Sequence, residues 1–399
     1  MKRSPLLFLL VTAFLFSVGM SLVFPVLPFI VAQYVPDARQ QTTVIGWLAA
    51  LFALLSFFSS PVLGAVSDAY GRRPVLILTL LGTALGNLVF GIGGSLAVLF
   101  LGRFLEGVTS GGMGALMAYV ADSTNDENRG AVFGQIGATV GAGMIVGPAL
   151  GGLLAHFGYS APMFVAAGIA VLNALWGYFF LPESLKPENR QHEFTAAHLN
   201  PLTHLRSALI KPQVRQLVFT AMLFMLPFTL MQIVLPIMTR DTLHWGAAEI
   251  STLFMVSGLC DIVGQGVVLP RLLARFGERR VALGGIVMGV MGVVGLLALA
   301  GLVAWPHAAL FYAAVIVFAL GEGLFTSSIN ALISLSIPED EQGRVQGGVQ
   351  SLFELTQIAG PLAGSGMYAH FGSAPTFGLG AGLAAVAYGL LSAVPARKA

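Results

Sequence analysis

LAVLFLGRFLEGVTSGGMGALMAYVA, residues 96–121, is the stretch whose reading decides the fold. At 1.5 Å per residue it is long enough to cross the ~30 Å hydrocarbon core of a bilayer as one helix. It also carries Arg103 and Glu106 near its middle. A charged side chain at that depth costs several kcal/mol, so such residues are few in spanning helices and mark function.

The same pattern repeats outward from this stretch. Apolar segments of spanning length read at about 6–34, 43–67, 75–94, 96–121, 130–156, 161–181, 214–239, 247–270, 280–304, 307–335, 344–369 and 375–394. Three more of them hold an acid near the centre: Asp261, Glu322 and Glu354. Residues are 56% hydrophobic and 10% charged, far from the roughly 25% charged of a soluble domain. The expectation is an all-α integral membrane protein of 12 transmembrane helices with both termini cytoplasmic. Charge supports that topology. With a cytoplasmic N-terminus, 17 of the 20 basic residues fall on the cytoplasmic side, Arg39 and Arg240 fall outside, and Arg103 lies within a span. The net charge of +2 is therefore a topology signal and no argument for nucleic acid.

Residues 1–30 open with Lys2-Arg3 before an apolar run, as a secretory signal does. The run is too long for one, contains Pro25 and Pro28, and lacks a small-residue cleavage site, so it reads as a retained first helix. Cys260 is the single cysteine. It reads as a packing residue and suggests neither a disulfide nor a metal site. The seven histidines fall in loops or at span ends without metal-ligand spacing, and no nucleophile–base pair lies at membrane depth. An enzyme is not expected, nor is a cofactor.

The polar, proline-containing stretch 182–213 divides the spans six and six. The reading is an N-terminal six-helix bundle at 1–181, a cytoplasmic linker at 182–213 with a short surface helix around 202–210, and a C-terminal bundle at 214–399. The halves echo each other. Ala69-Tyr-Gly71-Arg72-Arg73 matches Arg275-Phe-Gly277-Glu-Arg279, and Leu105-Glu106-Gly107 matches Gly321-Glu322-Gly323. Gly130, Gly134, Gly147, Pro148 and Gly151 recur 213 positions later as Gly343, Gly347, Gly360, Pro361 and Gly364. Two pseudo-symmetric six-helix bundles are a known transporter architecture.

Between the second and third spans stands Gly64-Ala-Val-Ser-Asp68-Ala-Tyr-Gly71-Arg72-Arg73-Pro74. Gly64 permits close helix approach, Gly71 a tight turn, and Asp68 can face an arginine or a helix N-terminus. Span five contains Gly143-Met-Ile-Val-Gly147-Pro148-Ala-Leu-Gly151-Gly152. Its glycines four apart form a smooth stripe for a neighbouring helix, and Pro148 removes a backbone hydrogen bond at mid-membrane. Arg103 and Glu106, three apart, share a helix side and read either as a static internal ion pair or as a switchable one.

On these motifs the chain resembles the major facilitator superfamily, and within it the twelve-span drug and proton antiporters that include the tetracycline exporters. Phe24-Pro25-Val-Leu-Pro28 and Ser67-Asp68-Ala-Tyr-Gly-Arg-Arg-Pro-Val-Leu look like that subgroup. The resemblance implies a latch at Gly64, Asp68, Gly71, Arg72 and Arg73 that holds the state closed to the cytoplasm. It implies an exporter motif governing helix bending at Gly143, Gly147, Pro148, Gly151 and Gly152, and a proton-transfer role for Arg103. One departure concerns cargo. Tetracycline exporters carry acids in spans one, three and nine, where this chain has none, so tetracycline with a divalent metal is not the expected cargo.

Glu322 and Glu354 are isolated acids anchored by repeat symmetry, and Asp261 lies beside Gly258, Gly264 and Gln265. An acid kept from water suits a carrier that loads and unloads protons, and it attracts lipophilic cations, so Glu106, Asp261, Glu322 and Glu354 are the expected proton-coupling acids. Asp261 also reads as a structural hydrogen-bonding residue. Phe24, Met113, Met231, Gln135, Gln232, Gln350, Gln357 and Asn330 are expected to line a cavity, the amides because lipid exposure is costly for them. The expected function is proton-coupled efflux of small hydrophobic or amphipathic compounds, by one chain in a bacterial inner membrane with protons as coupling ion. Transport of a metabolite on the same scaffold is the alternative, and a non-transporting scaffold has no need of four buried acids.

Overall fold

The computed structural model describes residues 3–124, 126–190, 209, 211–300, 308–338 and 342–394. Among them there is no strand. The first half of the sequence gives α1 (Arg3–Ser21), α2 (Leu27–Ala32), α3 (Ala38–Tyr70), α4 (Arg72–Ile92), α5 (Leu96–Val108), α6 (Gly112–Ser123), α7 (Asp126–Leu154) and α8 (Ala161–Phe180). The second gives α9 (Pro212–Leu243), α10 (Ala247–Val263), a π-helical turn at Gly264–Val268, α11 (Leu269–Ala300), α12 (Ala308–Leu335), α13 (Gln342–Phe371) and α14 (Ser373–Ala393). Nine helical stretches among the described residues are long and apolar enough to cross a membrane. One of them, Ala247–Leu299, counts 53 residues. That is roughly 80 Å of helix, too long for one crossing, and it breaks at Gly277 (φ 71°, ψ 164°).

Several expected spans are interrupted, each for a local reason. Residues 6–34 form two helices because Pro25 offers no N–H and Pro28 starts the second piece. Between them the backbone tightens, with Phe24 N donating to Ser21 O and Val26 N to Val23 O. Residues 96–121 break at Thr109–Gly111, where Thr109 Oγ1 donates back to Leu105 O at 2.8 Å and two glycines follow. The expected surface helix at 202–210 lies outside the described residues, apart from Leu209.

The repeat is visible in backbone geometry. Gly71 (φ 113°, ψ 157°) joins α3 to α4, and Gly277 takes the same left-handed, extended conformation. Arg73 Nη2 donates to Tyr178 O near the end of α8, and Arg279 Nη2 donates to Ser392 O at the end of α14. Ala155-His-Phe-Gly158 before α8 is repeated as Ala369-His-Phe-Gly372 before α14, and both glycines have positive φ.

The described residues form two compact units. The first lies within Met1–Val35, Leu51–Pro201 and Ala247–Thr252; the second within Pro36–Ala50, Leu202–Gly246 and Leu253–Ala399. Each unit therefore takes a short segment from the other half of the sequence. In the first, the Gly152 backbone sits against Ser251 and Ala247; in the second, Gly46 sits against Ser365 and Pro361. The first core gathers Leu9, Leu76, Leu116, Tyr119 and Ile136. The second includes Phe224 and Phe325, ring centroids 4.3 Å apart.

Candidate functional site

In the first unit, α5 places Arg103 and Glu106 one helical turn apart. Arg103 Nη1 donates to Glu106 Oε2 at 2.8 Å, and both side chains are 11% exposed. The guanidinium lies over Phe90 of α4 at 4.9 Å and over Phe52 of α3 at 5.9 Å. Aromatic faces are one of the few surroundings that favour a cation away from water. Gly86 and Gly102 let α4 and α5 meet backbone to backbone beside the pair. The charges are neutralised within one unit.

The glycine stripe of α7 packs on α1. A Cβ on Gly143 would lie 2.7 Å from Phe14 O, and one on Gly147 would lie 2.7 Å from Val18 O, with Ser21 Oγ in the same space. Gly151 faces Leu22 O and Pro25. Ser21 Oγ donates to Gly143 O at 3.3 Å, and Pro148 lies inside the helix. Its repeat counterpart seats Gly360 and Gly364 of α13 on Thr229 and Leu230 of α9. Gly152, the last residue of the motif, meets Ser251 instead of α1.

At the α3–α4 turn, Arg72 gathers three acids. Its Nη1 pairs with Asp68, its Nε donates to Asp122 Oδ2 at 2.9 Å, and its backbone N donates to Glu183 Oε1 at 2.8 Å. Arg73 N donates to Glu183 Oε2 at 3.2 Å, so one carboxylate closes the N-terminus of α4. Gly71 leaves room for that carboxylate, whose oxygens stand where a Cβ would be. A Cβ added at Gly64 would meet no atom. Asp122, Glu183 and Ser184 were not singled out from the sequence. For Glu183 and Ser184 the signal is the run Pro182-Glu-Ser184, which reads as linker; Asp122 lies at the end of α6, where Ser184 Oγ donates to its Oδ2 at 3.3 Å.

The second unit places Asp261 beside Glu322. Glu322 is 8% exposed, accepts from Thr326 Oγ1 at 2.9 Å, and has the Asp261 carboxylate as a charged neighbour. Asp261 Oδ1 is buried without a hydrogen-bond partner. Gly323 makes the approach possible, since a Cβ there would lie 3.1 Å from Asp261 Oδ1 and 3.4 Å from Gln265 Nε2. Ser327 Oγ donates to Gln265 Oε1 at 3.3 Å. Gln265, Thr326 and Ser327 could not be assigned from sequence, because α10 and α12 meet across some sixty residues. Among the described residues no lysine or arginine pairs with Asp261, Glu322 or Glu354. Glu354, on α13, is half-buried and has no hydrogen-bond partner among them.

The expected cavity residues scatter. Gln135, Gln350 and Gln357 are exposed; Phe24, Met113, Gln232 and Asn330 are half-buried. Met231, 2% exposed, packs in a core cluster with Leu230, Val234 and Phe311.

The model of the Major Facilitator Superfamily matches residues 9–305 and 217–398. The chain is 35% identical over 377 residues to the tetracycline resistance protein, class C, of Escherichia coli, covering 92% of this chain and 90% of that one. It is 29% identical over 284 residues to multidrug resistance protein 2 of Bacillus subtilis (strain 168), covering 70% and 69%. Among solved structures, the human organic anion transporter MFSD10 (TETRAN) superposes with a TM-score of 0.73 at 22% identity over 98% of this chain and 99% of that one. A mutant of the nucleoside transporter NupG does so with a TM-score of 0.78 at 16% identity over 98% and 99%.

Proposed function

From the premise that this chain belongs to the major facilitator superfamily, we propose that it is a secondary transporter driving proton-coupled efflux of small hydrophobic or amphipathic compounds by alternating access. Its relatives are tetracycline and multidrug resistance proteins. We read it as twelve spans in two six-helix bundles, with both termini in the cytoplasm of a bacterial cell and the chain in the inner membrane. Each of the twelve apolar stretches expected from sequence has a helical counterpart, which supports the count.

The observation that carries the coupling reading is the difference between the acids. Glu106 is held by Arg103, whereas Asp261 and Glu322 stand together with no basic partner among the described residues. Two neighbouring carboxylates in a low-dielectric setting cannot both remain charged without a cation, so a proton or a cationic cargo balances them. Asp261 and Glu322 are therefore assigned the exchange step, with Glu354 as an accessory acid. The α3–α4 charge cluster is assigned the latch and the α7 glycine stripe the helix-bending role. α1, α4 and residues 281–300 of α11 hold no acid, which supports organic compounds over a metal–tetracycline chelate as cargo.

The test is proteoliposome flux under an imposed pH gradient, with ethidium and magnesium–tetracycline as probes. Wild type should move ethidium against its gradient with counterflow of protons. Glu322→Gln and Asp261→Asn should keep downhill ethidium flux and lose its coupling to protons. If proton counterflow persists in both variants, the assignment of these acids is wrong.

A further inference from the structure

The carboxylates of the second unit stand beside an irregular piece of helix. Gly264–Val268 is π-helical, and such a turn re-aims the residues after it and gathers at functional sites. Gln265 lies in that turn. Its Oε1 accepts from Ser327 Oγ at 3.3 Å, and its exposed position leaves Nε2 reachable. Nε2 and the unpartnered Asp261 Oδ1 both lie over Gly323, 3.4 Å and 3.1 Å from where a Cβ would be. The two atoms are thus at most 3.4 + 3.1 = 6.5 Å apart, within reach of one side-chain rotation.

We propose that Gln265 is a positioning residue of the carboxylate pair, its Oε1 held by Ser327 Oγ while its Nε2 turns to donate to Asp261 each time the pair loses its proton. The inference rests on the reading that Asp261 and Glu322 carry the exchanged proton. With the proton on the pair, Asp261 needs no further donor, and Gln265 is held through its Oε1 by Ser327 alone. When the proton leaves to water, Asp261 Oδ1 becomes a buried anion, and an unmet anion there is expensive. Gln265 Nε2 then swings to donate to it. Ser327 Oγ goes on donating to Oε1, so the amide pivots about that oxygen as Nε2 turns. No covalent bond changes except the O–H of the departing proton. The titratable neighbours of Asp261 are Glu322 from α12 and Cys260 from its own helix.

The experiment uses the full chain in proteoliposomes with ethidium as probe. Gln265→Leu, Ser327→Ala and the double variant are compared for cargo-driven proton release across about pH 5.5 to about 8.5. Each single change should raise the midpoint of the profile, since each weakens the donor offered to the Asp261 anion, by about 0.5–1 pH unit for Gln265→Leu and by less for Ser327→Ala. The double variant should go no further than Gln265→Leu, because Ser327 acts on Asp261 only through Gln265. Downhill ethidium flux reports that the variants are folded. Gln265→Asn, which keeps the amide but cannot span both partners, carries the same test if the leucine variant does not fold. An unmoved profile in the Gln265 variants, with proton release abolished by Asp261→Asn and Glu322→Gln, overturns the proposal, as do additive shifts. If those two acid variants still release protons, it is the proton-carrier reading that fails, a distinguishable result.

Discussion

Replacing Gly147 with alanine measures how closely α7 must ride on α1. The added Cβ would lie 2.7 Å from Val18 O, while ordinary contact begins at 3.4 Å. The helices must therefore part locally by about 3.4 − 2.7 = 0.7 Å. Ser21 Oγ also obstructs, but a hydroxyl can rotate; Val18 O is backbone and cannot. Overpacking of this kind costs about 1–3 kcal/mol. Alanine returns roughly 0.5–1 kcal/mol over glycine in a helix interior, leaving a net loss on the order of 1–2 kcal/mol. Gly134 and Gly141 of the same helix have no atom within 4 Å of an added Cβ, so alanine there keeps only the gain. One substitution, made at three positions of one helix, should change sign. Thermal denaturation of detergent-purified variants, followed by fluorescence-detected size exclusion, should place Gly134→Ala and Gly141→Ala at or above wild type and Gly147→Ala a few degrees below. Adding Ser21→Gly to Gly147→Ala should recover only part of the loss. Equal melting of all three single variants would refute the packing argument.

Other perturbations follow from the same geometry. Arg103→Leu leaves Glu106 buried without its cation and should cost about 3–5 kcal/mol, while Arg103→Leu with Glu106→Leu should melt closer to wild type; a double variant worse than either single one would contradict this. Gly277→Ala should lose about 1–3 kcal/mol through backbone strain alone, since no atom lies within 4 Å of the added Cβ, and Gly277→Asn should lose as much in the same melting assay, because this positive-φ extended region suits only glycine. Gly71→Ala should lose more, because Glu183 occupies the Cβ position as well. Glu183→Ala removes the acceptor for Arg72 N and Arg73 N and should cost about 1–2 kcal/mol, more at low than at high salt; salt-independent loss would point to packing instead.

The helices were legible because burying backbone polar groups in lipid leaves a sequence few options: a long apolar run must be a helix. The Arg103–Glu106 pair was legible for a similar reason, since three-residue spacing puts both on one side of α5. Breaks were harder. The Leu22–Val26 break follows from Pro25, which was in view, but the one at Thr109–Gly111 depends on a side chain bonding back to its own helix. Glu183 was hidden by its setting, a polar stretch that reads as linker until Gly71 is seen to leave its carboxylate a place. Gln265 was least legible. Its partners Ser327 and Gly323 lie on another helix, and its aim depends on a π-helical turn that no periodicity announces.

The two units repeat one architecture yet differ in how they treat charge, and that difference limits where a mobile proton can reside. Glu106 and Glu322 read as matching places from sequence, but the equivalent glycine contacts, Gly86 on Gly102 in the first unit and Gly285 on Gly321 in the second, set Phe325 where Glu106 stands and Glu322 where Arg103 stands. Around Glu106 the chain supplies Arg103 three residues earlier and two aromatic faces for the guanidinium. Around Glu322 the position three residues earlier is Ala319, and the acid's neighbours are Thr326 and a second carboxylate. Removing one partner of a buried ion pair costs far more than the pair itself contributes, so Glu106 is poorly suited to give up its cation in every cycle. Glu322 has no such partner to lose. On the proposed assignment, the first unit is a neutral, rigid support and the second is short of one positive charge, which a proton or a cationic cargo supplies in turn.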